Sequence, residues 1–223
     1  MRFPLCADIS LVPVRRVVTR RHKSMCCYVP SLKMGGMIPC ESMLEGDAVG
    51  IFDHSSEVRK FVPQPWTETV YIDGENFQYT PDFGLTLIDL SVEVVEVKLS
   101  KSLRSAKLQR RLNQIAKHFE STGKRFTVLT ELEIRKKGLQ RHLKLQTYHA
   151  RALPREFDFA DKVQAMSEIK NLTYGDAVGV IPAQAVLRLI SRGCLSHDLT
   201  QPLTTETRLQ FVSTEVRHAA FQV

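Results

Sequence analysis

Residues 92–99 form a valine-rich run in which charged residues, among them Glu96 and Lys98, interrupt the apolar sequence. The apolar side chains fall on both alternating faces of the run, which is typical of a central β-strand covered above and below. Burying charge in such a strand is costly unless the charge is paired or binds an ion. The run therefore predicts a central strand in which Glu96 and Lys98 have a function.

A second predicted strand, over residues 77–87, precedes this run and contains Pro81-Asp82. Residues 88–91 predict the turn between the two strands. Folding an antiparallel pair about Asp89 places Asp82 opposite Glu96, because the two acids are equally far from Asp89, and facing residues lie about 5 Å apart. Two carboxylates that close repel each other unless a proton or a cation separates them. A magnesium ion, held by oxygen ligands at about 2.1 Å, would satisfy both.

The alternative interpretation is a solvated strand face on which Glu96 and Lys98 form a weak surface ion pair. The apolar residues on both sides of Glu96 and the predicted position of Asp82 disfavour it. We therefore predict a metal site built on Asp82 and Glu96, with Lys98 on the same face.

The rest of the first 150 residues alternates between strand and helix patterns, which predicts an α/β fold with a mixed sheet flanked by helices. Its predicted helices carry apolar residues at helical spacing, and its turns contain glycine. The predicted elements are strands at 31–34 and 37–39 joined by Gly35-Gly36, a helix at 41–53, strands at 58–61 and 67–72, a helix at 100–120, a strand at 126–130 and a helix at 132–150.

The last third of the chain follows a boundary predicted at Leu153-Pro154. It predicts helices at 159–172 and 182–192, separated by a break at Gly175-Asp176, and then a hairpin with its second strand at 208–213. Helices followed by a β-hairpin are typical of a winged helix, with residues 183–192 in the recognition-helix position. We therefore predict a basic arm over residues 1–27, a central domain over 28–153 and a winged-helix-like domain over 154–223.

A formal net charge of +7 favours a polyanionic partner, because basic side chains release the counterions that condense on phosphate backbones. Two groups of basic residues are candidates for DNA contacts, although a solvated helix face and a solvated tail are the alternatives. They are Lys101, Arg104, Lys107 and Arg111 on the predicted helix, and Arg20, Arg21 and Lys23 on the predicted arm.

Several classes of protein are disfavoured. The five cysteines lack paired C-x-x-C spacing, so neither a disulfide framework nor a structural zinc site is expected. The histidines are scattered singly and are interpreted as surface or packing residues. The sequence contains no apolar run long enough to span a membrane and no secretory signal, so we expect a cytoplasmic protein without a membrane partner.

The predicted helix at 41–53 offers a third acid. Glu45 lies beside the apolar face of this helix, so its carboxylate can point toward the sheet that the helix covers. Glu41 lies one turn nearer the helix start, where negative charge is favoured by the helix dipole. Either acid could serve the site, and we expect Glu45.

These motifs, in this order, resemble the restriction-endonuclease-like core, whose signature is PD followed by (D/E)-x-K. Here the signature reads Pro81-Asp82 and then Glu96-Val97-Lys98. More narrowly, the chain resembles the TnsA family, the endonuclease subunits of heteromeric bacterial transposases. The segments that carry this resemblance, within about residues 28–150, are CESMLE at 40–45, VRKFVPQP at 58–65, YTPDF at 79–83 and VEVK at 95–98.

The resemblance implies a magnesium-dependent DNA endonuclease in which Mn²⁺ can substitute for Mg²⁺. It implies that Glu45, Asp82, Glu96 and the Val97 backbone carbonyl hold the metal and that Lys98 is the catalytic lysine. A TnsA subunit nicks the 5′ ends of a mobile element in double-stranded DNA, while a TnsB-type transposase cuts and joins the 3′ ends. A TnsC-type AAA+ ATPase links both to target choice, and the assembled complex would be associated with the nucleoid.

Two other functions remain open. One is a free-standing nuclease of restriction or repair type, which would cut DNA without partners. The other is a DNA-binding assembly module whose nuclease core is catalytically silent. The retained charges at Glu45, Asp82, Glu96 and Lys98 argue against the silent module, because an inactive core has no need of them.

Overall fold

The computed structural model describes residues 26–151, 159–191, 194–198 and 201–212. The predicted basic arm, apart from its last two residues, and the predicted boundary at Leu153-Pro154 lie outside the described residues. The chain divides into two compact units. The first unit comprises Met37–Val49, Val58–Ile134 and the chain before Ser31. The second comprises Ser31–Gly36, Gly50–Glu57 and the chain from Arg135 onward.

The first unit contains a four-stranded mixed sheet with helices against it, as the predicted α/β class requires. Strand β7 (Val92–Val97) lies between β6 (Phe83–Leu87), to which it is antiparallel, and β8 (Arg125–Leu129), to which it is parallel. Val94 and Val95, on opposite faces of β7, are both buried, so the predicted central strand is confirmed. In sheet order the strands are β3 (Val58–Pro63), β6 (Phe83–Leu87), β7 (Val92–Val97) and β8 (Arg125–Leu129).

The hairpin between β6 and β7 has the predicted register. Phe83 pairs with Val95 and Gly84 pairs with Val94, so the pairing is centred on Asp89. The Asp89 carboxylate closes the turn by accepting hydrogen bonds from the Ser91 N–H at 2.9 Å and from the Ser91 hydroxyl at 2.6 Å. A short polar side chain that binds its own backbone two residues on is a common turn former.

The predicted single strand over residues 77–87 is wrong. Residues up to Tyr79 belong to β5 (Glu75–Tyr79), which pairs with β4 (Glu68–Ile72) in a separate two-stranded sheet. Residues 80–82 lie between β5 and β6. The break follows from Pro81, which cannot donate a ladder hydrogen bond.

The predicted helix over residues 100–120 is two elements. A 3-10 helix at Ser100–Arg104 is followed by α2 (Ala106–Ser121), whose first turn is capped by the Ser105 hydroxyl. The capping oxygen accepts a hydrogen bond from the Leu108 N–H at 3.4 Å. The predicted apolar face of α2 is confirmed, since it buries Leu112, Ile115 and Phe119 in a cluster with Val70, Tyr79 and Val94.

The elements near the start of the described chain are β1 (Cys27–Ser31), β2 (Gly36–Cys40) and α1 (Met43–His54). The predicted strand at 31–34 is wrong, because residues 32–35 form the turn. The Asp53 carboxylate stabilises this longer turn by accepting hydrogen bonds from the Leu32 and Lys33 N–H groups at 3.1 and 3.0 Å.

The predicted helix over residues 132–150 is broken. It comprises α3 (Glu131–Ile134), in the first unit, and α4 (Leu139–Arg151), in the second. Gly138 has a φ of +82°, a left-handed conformation that ends helices and that glycine adopts most easily.

The second unit is mainly helical. The predicted break at Gly175-Asp176 is wrong, because both residues lie in the first turn of a helix that Thr173 and Asp176 cap reciprocally. The predicted second hairpin is present as two short antiparallel strands. Besides α4, its elements are α5 (Ala160–Ser167), α6 (Tyr174–Val180), α7 (Ala183–Ser191), β9 (Leu195–Ser196) and β10 (Gln210–Phe211).

Helix α7 occupies the predicted recognition-helix position, but its side chains are less exposed than those of a recognition helix need to be. Six of its nine residues are buried, and no residue of α7 is fully exposed. A recognition helix needs an accessible polar face to reach base edges, and α7 instead serves as the core helix of its unit. None of the helices in the described part of the chain has the length and hydropathy required to cross a lipid bilayer.

Candidate metal centre

Asp82 and Glu96 meet where the β6–β7 hairpin opens. Asp82 directly precedes β6, and its Oδ2 accepts a hydrogen bond from the Val97 N–H at 2.8 Å. Its carbonyl accepts a second hydrogen bond from the Gln64 N–H at 3.0 Å, just after β3 ends. These two bonds fix Asp82 from both neighbouring strands, so its carboxylate has a defined position beside the end of β7.

The Lys98 ammonium lies among the predicted metal ligands. Its Nζ is 2.5 Å from Glu96 Oε1, 3.4 Å from Asp82 Oδ2 and 3.2 Å from the Val97 carbonyl oxygen. The Lys98 N–H donates to the Leu129 carbonyl at 3.0 Å, which continues the parallel pairing beyond β7. Because 32% of the Lys98 side chain remains exposed, the site is open to solvent at this residue.

Tyr79 is a member of the site that sequence reasoning missed. Its hydroxyl donates a hydrogen bond to Glu96 Oε2 at 2.5 Å, and the residue is only 5% exposed. The two oxygens of Glu96 therefore have different partners, Tyr79 on Oε2 and Lys98 on Oε1. The signal was present in the YTPDF segment, since a tyrosine that is buried needs a partner for its hydroxyl.

Both carboxylate oxygens of Glu45 accept hydrogen bonds at the start of α1. Its Oε2 accepts a hydrogen bond from the Glu41 N–H at 2.8 Å, and its Oε1 accepts one from the Ser42 hydroxyl at 2.9 Å. Ser42 in turn accepts from the Glu45 N–H at 3.2 Å, which completes a reciprocal helix cap of the S-x-x-E type. Glu45, and not Glu41, thus serves the helix start. Glu45 interacts electrostatically with Lys98 and with Asp82.

The electrostatics of the site favour an additional cation. Burial, followed by the neighbouring Glu96 carboxylate, raises the pKa of Asp82 to about 7. Burial also raises the pKa of Glu45, although the hydrogen bonds to its two oxygens act to lower it. Burial alone would lower the pKa of Lys98, but Asp82 and Glu96 outweigh it and raise that pKa. One ammonium is shared among several carboxylates, so the site attracts positive charge.

The donor atoms fit a hard divalent ion. The described residues contain no group of three or more His, Cys, Asp or Glu side chains arranged to hold a metal. Magnesium, however, is commonly bound by one or two carboxylates together with waters and substrate phosphates. Asp82, Glu96 and the Val97 carbonyl supply oxygen atoms only, and these oxygens already surround one cationic group, Lys98 Nζ. The residues present are therefore suitable ligands for Mg²⁺ or Mn²⁺.

The predicted basic row is divided between two elements. Lys101 and Arg104 are exposed on the 3-10 helix, and Lys107 is exposed at the start of α2. Arg111 instead lies with its guanidinium 3.8 Å from the centre of the Phe77 ring, a cation–π contact that fixes its direction. The other predicted contacts, Arg20, Arg21 and Lys23, lie outside the described residues.

Comparisons with known proteins give no assignment. No protein-family model matches the chain, and no curated protein matches it.

Proposed function

We propose that this chain is a magnesium-dependent DNA endonuclease whose active site is the cluster at the end of β7. The observation that supports the proposal best is the convergence of three oxygens, from Asp82, Glu96 and Val97, on a single cationic group. The two neighbouring carboxylates, buried Glu96 on the central strand and half-buried Asp82 directly before β6, repel each other and are costly for stability. A catalytic requirement for metal ligands would explain why the chain keeps them.

Each residue has a role in the proposed hydrolysis. Asp82, Glu96 and the Val97 carbonyl would hold the metal, which when bound lowers the pKa of a coordinated water and withdraws charge from the scissile phosphate. The Lys98 ammonium, which is partly exposed, can donate to the attacking water or to a phosphate oxygen on which negative charge develops. Glu45 adds negative potential beside these ligands while it caps α1.

DNA as the substrate is supported by charge. The chain has a net charge of +7, and Lys101 follows the proposed catalytic lysine by three residues. Exposed lysines and arginines beside a hydrolytic site can neutralise the phosphates that flank the scissile bond. We include Lys101, Arg104, Lys107 and Arg111 in this surface, with Arg111 oriented by Phe77.

The resemblance to TnsA subunits supports a narrower proposal. The chain would nick the 5′ ends of a mobile element together with a TnsB-type transposase and a TnsC-type AAA+ ATPase. The first unit would then be a restriction-endonuclease-like core. The winged-helix assignment of the second unit rests on helices α5 to α7 followed by the β9–β10 hairpin, with DNA contacts on a surface other than buried α7.

The experiment is a nicking assay on end-labelled element DNA with magnesium and the partner proteins, scored for cuts on the 5′ strand. We expect Asp82→Ala to lower the nicking rate at least about a thousandfold, because an essential metal ligand is lost. Glu120→Ala is the matched control, since it removes an exposed carboxylate from α2. Retention of the wild-type rate by a folded Asp82→Ala protein would overturn the assignment of the site.

The same assay separates the other two functions. Cutting by the wild-type chain alone, without partners, would identify a free-standing nuclease. Binding of element DNA without cutting under any combination of partners and metal would identify a catalytically silent assembly module.

A further inference from the structure

The Tyr79 hydroxyl is aimed at one oxygen of a proposed metal ligand. It donates to Glu96 Oε2 at 2.5 Å, while Glu96 Oε1 faces the Lys98 ammonium at 2.5 Å. A hydroxyl contact this short to a carboxylate is characteristic of a charge-assisted hydrogen bond. Glu96 thus has one oxygen bound to a neutral donor and one oxygen turned toward positive charge.

The position of this hydroxyl is fixed by packing. The Tyr79 ring lies 5.9 Å from the Phe119 ring and 6.4 Å from the Phe126 ring, centre to centre, and the two phenylalanines stack on each other at 6.0 Å. Tyr79 is also the last residue of β5, where its backbone pairs with Glu68. Ring and backbone are therefore both held, and the hydroxyl cannot leave Glu96 without disturbing the core.

The hydrogen bond between Tyr79 and Glu96 has a defined direction. An ionised carboxylate can only accept a hydrogen bond, so the Tyr79 hydroxyl donates to Glu96. Glu96 Oε2 accepts the hydrogen bond from the Tyr79 hydroxyl, whereas Glu96 Oε1 faces Lys98 Nζ. Groups that orient a metal ligand from behind commonly contribute tenfold to a hundredfold to metal affinity.

We propose that Tyr79 is a positioning residue that holds Glu96 so that it coordinates the metal through Oε1 alone. The inference rests on the proposed function, since it requires that Glu96 bind a divalent ion. It goes beyond that function by assigning a role to a residue that acts through its hydrogen bond to Glu96.

The test measures Mn²⁺ affinity by calorimetry on the full-length protein, with no DNA present. The variants are Tyr79→Phe, Glu96→Ala and the double variant, with Tyr71→Phe as the control. Tyr71 lies in the same hairpin as Tyr79 but is 67% exposed, so losing its hydroxyl should not change affinity. We expect Tyr79→Phe to weaken Mn²⁺ binding about tenfold. In the Glu96→Ala background the same change should have no further effect, because Tyr79 acts through Glu96.

A second measurement uses the nicking assay across magnesium concentrations. Tyr79→Phe should shift the half-maximal magnesium concentration upward about tenfold while the rate at saturating magnesium stays near that of the wild type. Thermal unfolding of each variant reports whether the ring still packs.

The possible failures are distinguishable. If the wild type binds Mn²⁺ and Tyr79→Phe binds it equally well, the role of Tyr79 is refuted and the proposed function stands. A further loss on adding Tyr79→Phe to Glu96→Ala would show a general structural role, which also refutes positioning through Glu96. If the wild type binds no Mn²⁺, the proposed function fails, and this inference fails with it.

Discussion

Two partly buried polar clusters, one in each unit, differ in how their polar side chains are paired. The charged cluster of the first unit consists of Asp82, Glu96 and Lys98, which are linked by ion pairs. The histidine cluster of the second unit consists of His54, His142 and His197 with Gln146, which is 2% exposed. Gln146 is hydrogen-bonded to His142 and to His197, and His54 interacts with both of these histidines electrostatically. The hydrogen bonds join neutral groups, so they need no counterion.

The tautomers in the histidine cluster follow from its partners. His54 Nδ1 lies 2.9 Å from the Gly50 carbonyl, and His197 Nδ1 lies 3.1 Å from the Asp198 carbonyl. A carbonyl can only accept, so both Nδ1 atoms carry the proton. The Gln146 amide nitrogen then donates to His142 Nε2 at 2.7 Å and to His197 Nε2 at 3.1 Å. The two bonds that Gln146 donates require an unprotonated Nε2, and therefore uncharged imidazoles at His142 and His197.

The two clusters differ in the charge of the groups that they bring together. Hydrogen bonds between neutral groups stabilise a core, whereas carboxylates of like charge do not. On the proposed function, the charged cluster lowers stability in exchange for cation binding, whereas the histidine cluster serves stability although Gln146 Oε1 has no hydrogen-bond partner. Three measurements test this difference between the two clusters.

The largest expected effect is on the stability of the second unit. Gln146→Ala leaves Nε2 atoms of two histidines without their donor and should lower the free energy of unfolding by about 2 kcal/mol. Denaturant unfolding measures the change, with the exposed Gln164→Ala as the matched control. Mn²⁺ affinity should stay at the wild-type value. A stable Gln146→Ala variant with altered Mn²⁺ affinity would contradict the contrast.

A smaller effect is expected at the charged cluster. Lys98→Met removes an ammonium that contacts the same three oxygens as the proposed metal, so Mn²⁺ should bind about tenfold more tightly, or roughly 1.4 kcal/mol. Nicking should nevertheless be lost, because the proposed catalytic ammonium is absent. Calorimetry measures the affinity, and Lys101→Met controls for general loss of positive charge. Weaker Mn²⁺ binding in Lys98→Met would show that the lysine supports the metal and does not compete with it.

The smallest effect is a pH dependence of stability. Burial lowers the pKa of His54, His142 and His197 below their ordinary value near 6.5. At these three sites the unfolded chain binds more protons than the folded chain below about pH 6.5, so the histidine contribution to stability should fall as the pH is lowered from 7.5 to 5.5. Asp53 opposes this shift at His54, and Lys33 adds to it. Asp82 contributes with the opposite sign over the same range, because its pKa of about 7 lets the folded chain bind a proton that the unfolded chain does not.

Denaturant unfolding at several pH values measures this slope. His142→Gln should reduce it, because one titrating imidazole is removed. An unchanged slope in a folded His142→Gln variant would assign the acid sensitivity to other groups.

The parts of the fold that could be predicted are those that depend on residues close together in the sequence. The register about Asp89 follows from a short turn, and the burial of α2 follows from apolar residues at helical spacing. Pro81 ended the predicted strand at 77–87 because a missing donor outweighed the continuous β-forming composition. The Ser42–Glu45 cap had a readable S-x-x-E pattern, but we interpreted Glu45 by its apolar face alone.

Contacts between residues far apart in the sequence could not be predicted, because no local sequence pattern indicates them. Tyr79 and Glu96 are seventeen residues apart and lie on strands of different sheets, so no periodicity connects them. His54 lies 3.3 Å from the Ser191 hydroxyl across 137 residues of sequence. The prediction that histidines serve in packing is confirmed for His54, which is buried, but the partners of a buried side chain depend on the tertiary fold.

The separation of Tyr79 from the β6–β7 hairpin also bears on the order of folding. Asp82, Glu96 and Lys98 come together when one short hairpin closes, an event with low loop-closure entropy. Tyr79 reaches Glu96 only after the β4–β5 hairpin has packed on α2, because its ring belongs to that core. A folding chain would thus bring its acids together early and fix the orientation of Glu96 last, so on the proposed function a partly folded protein would bind metal weakly and cut DNA slowly.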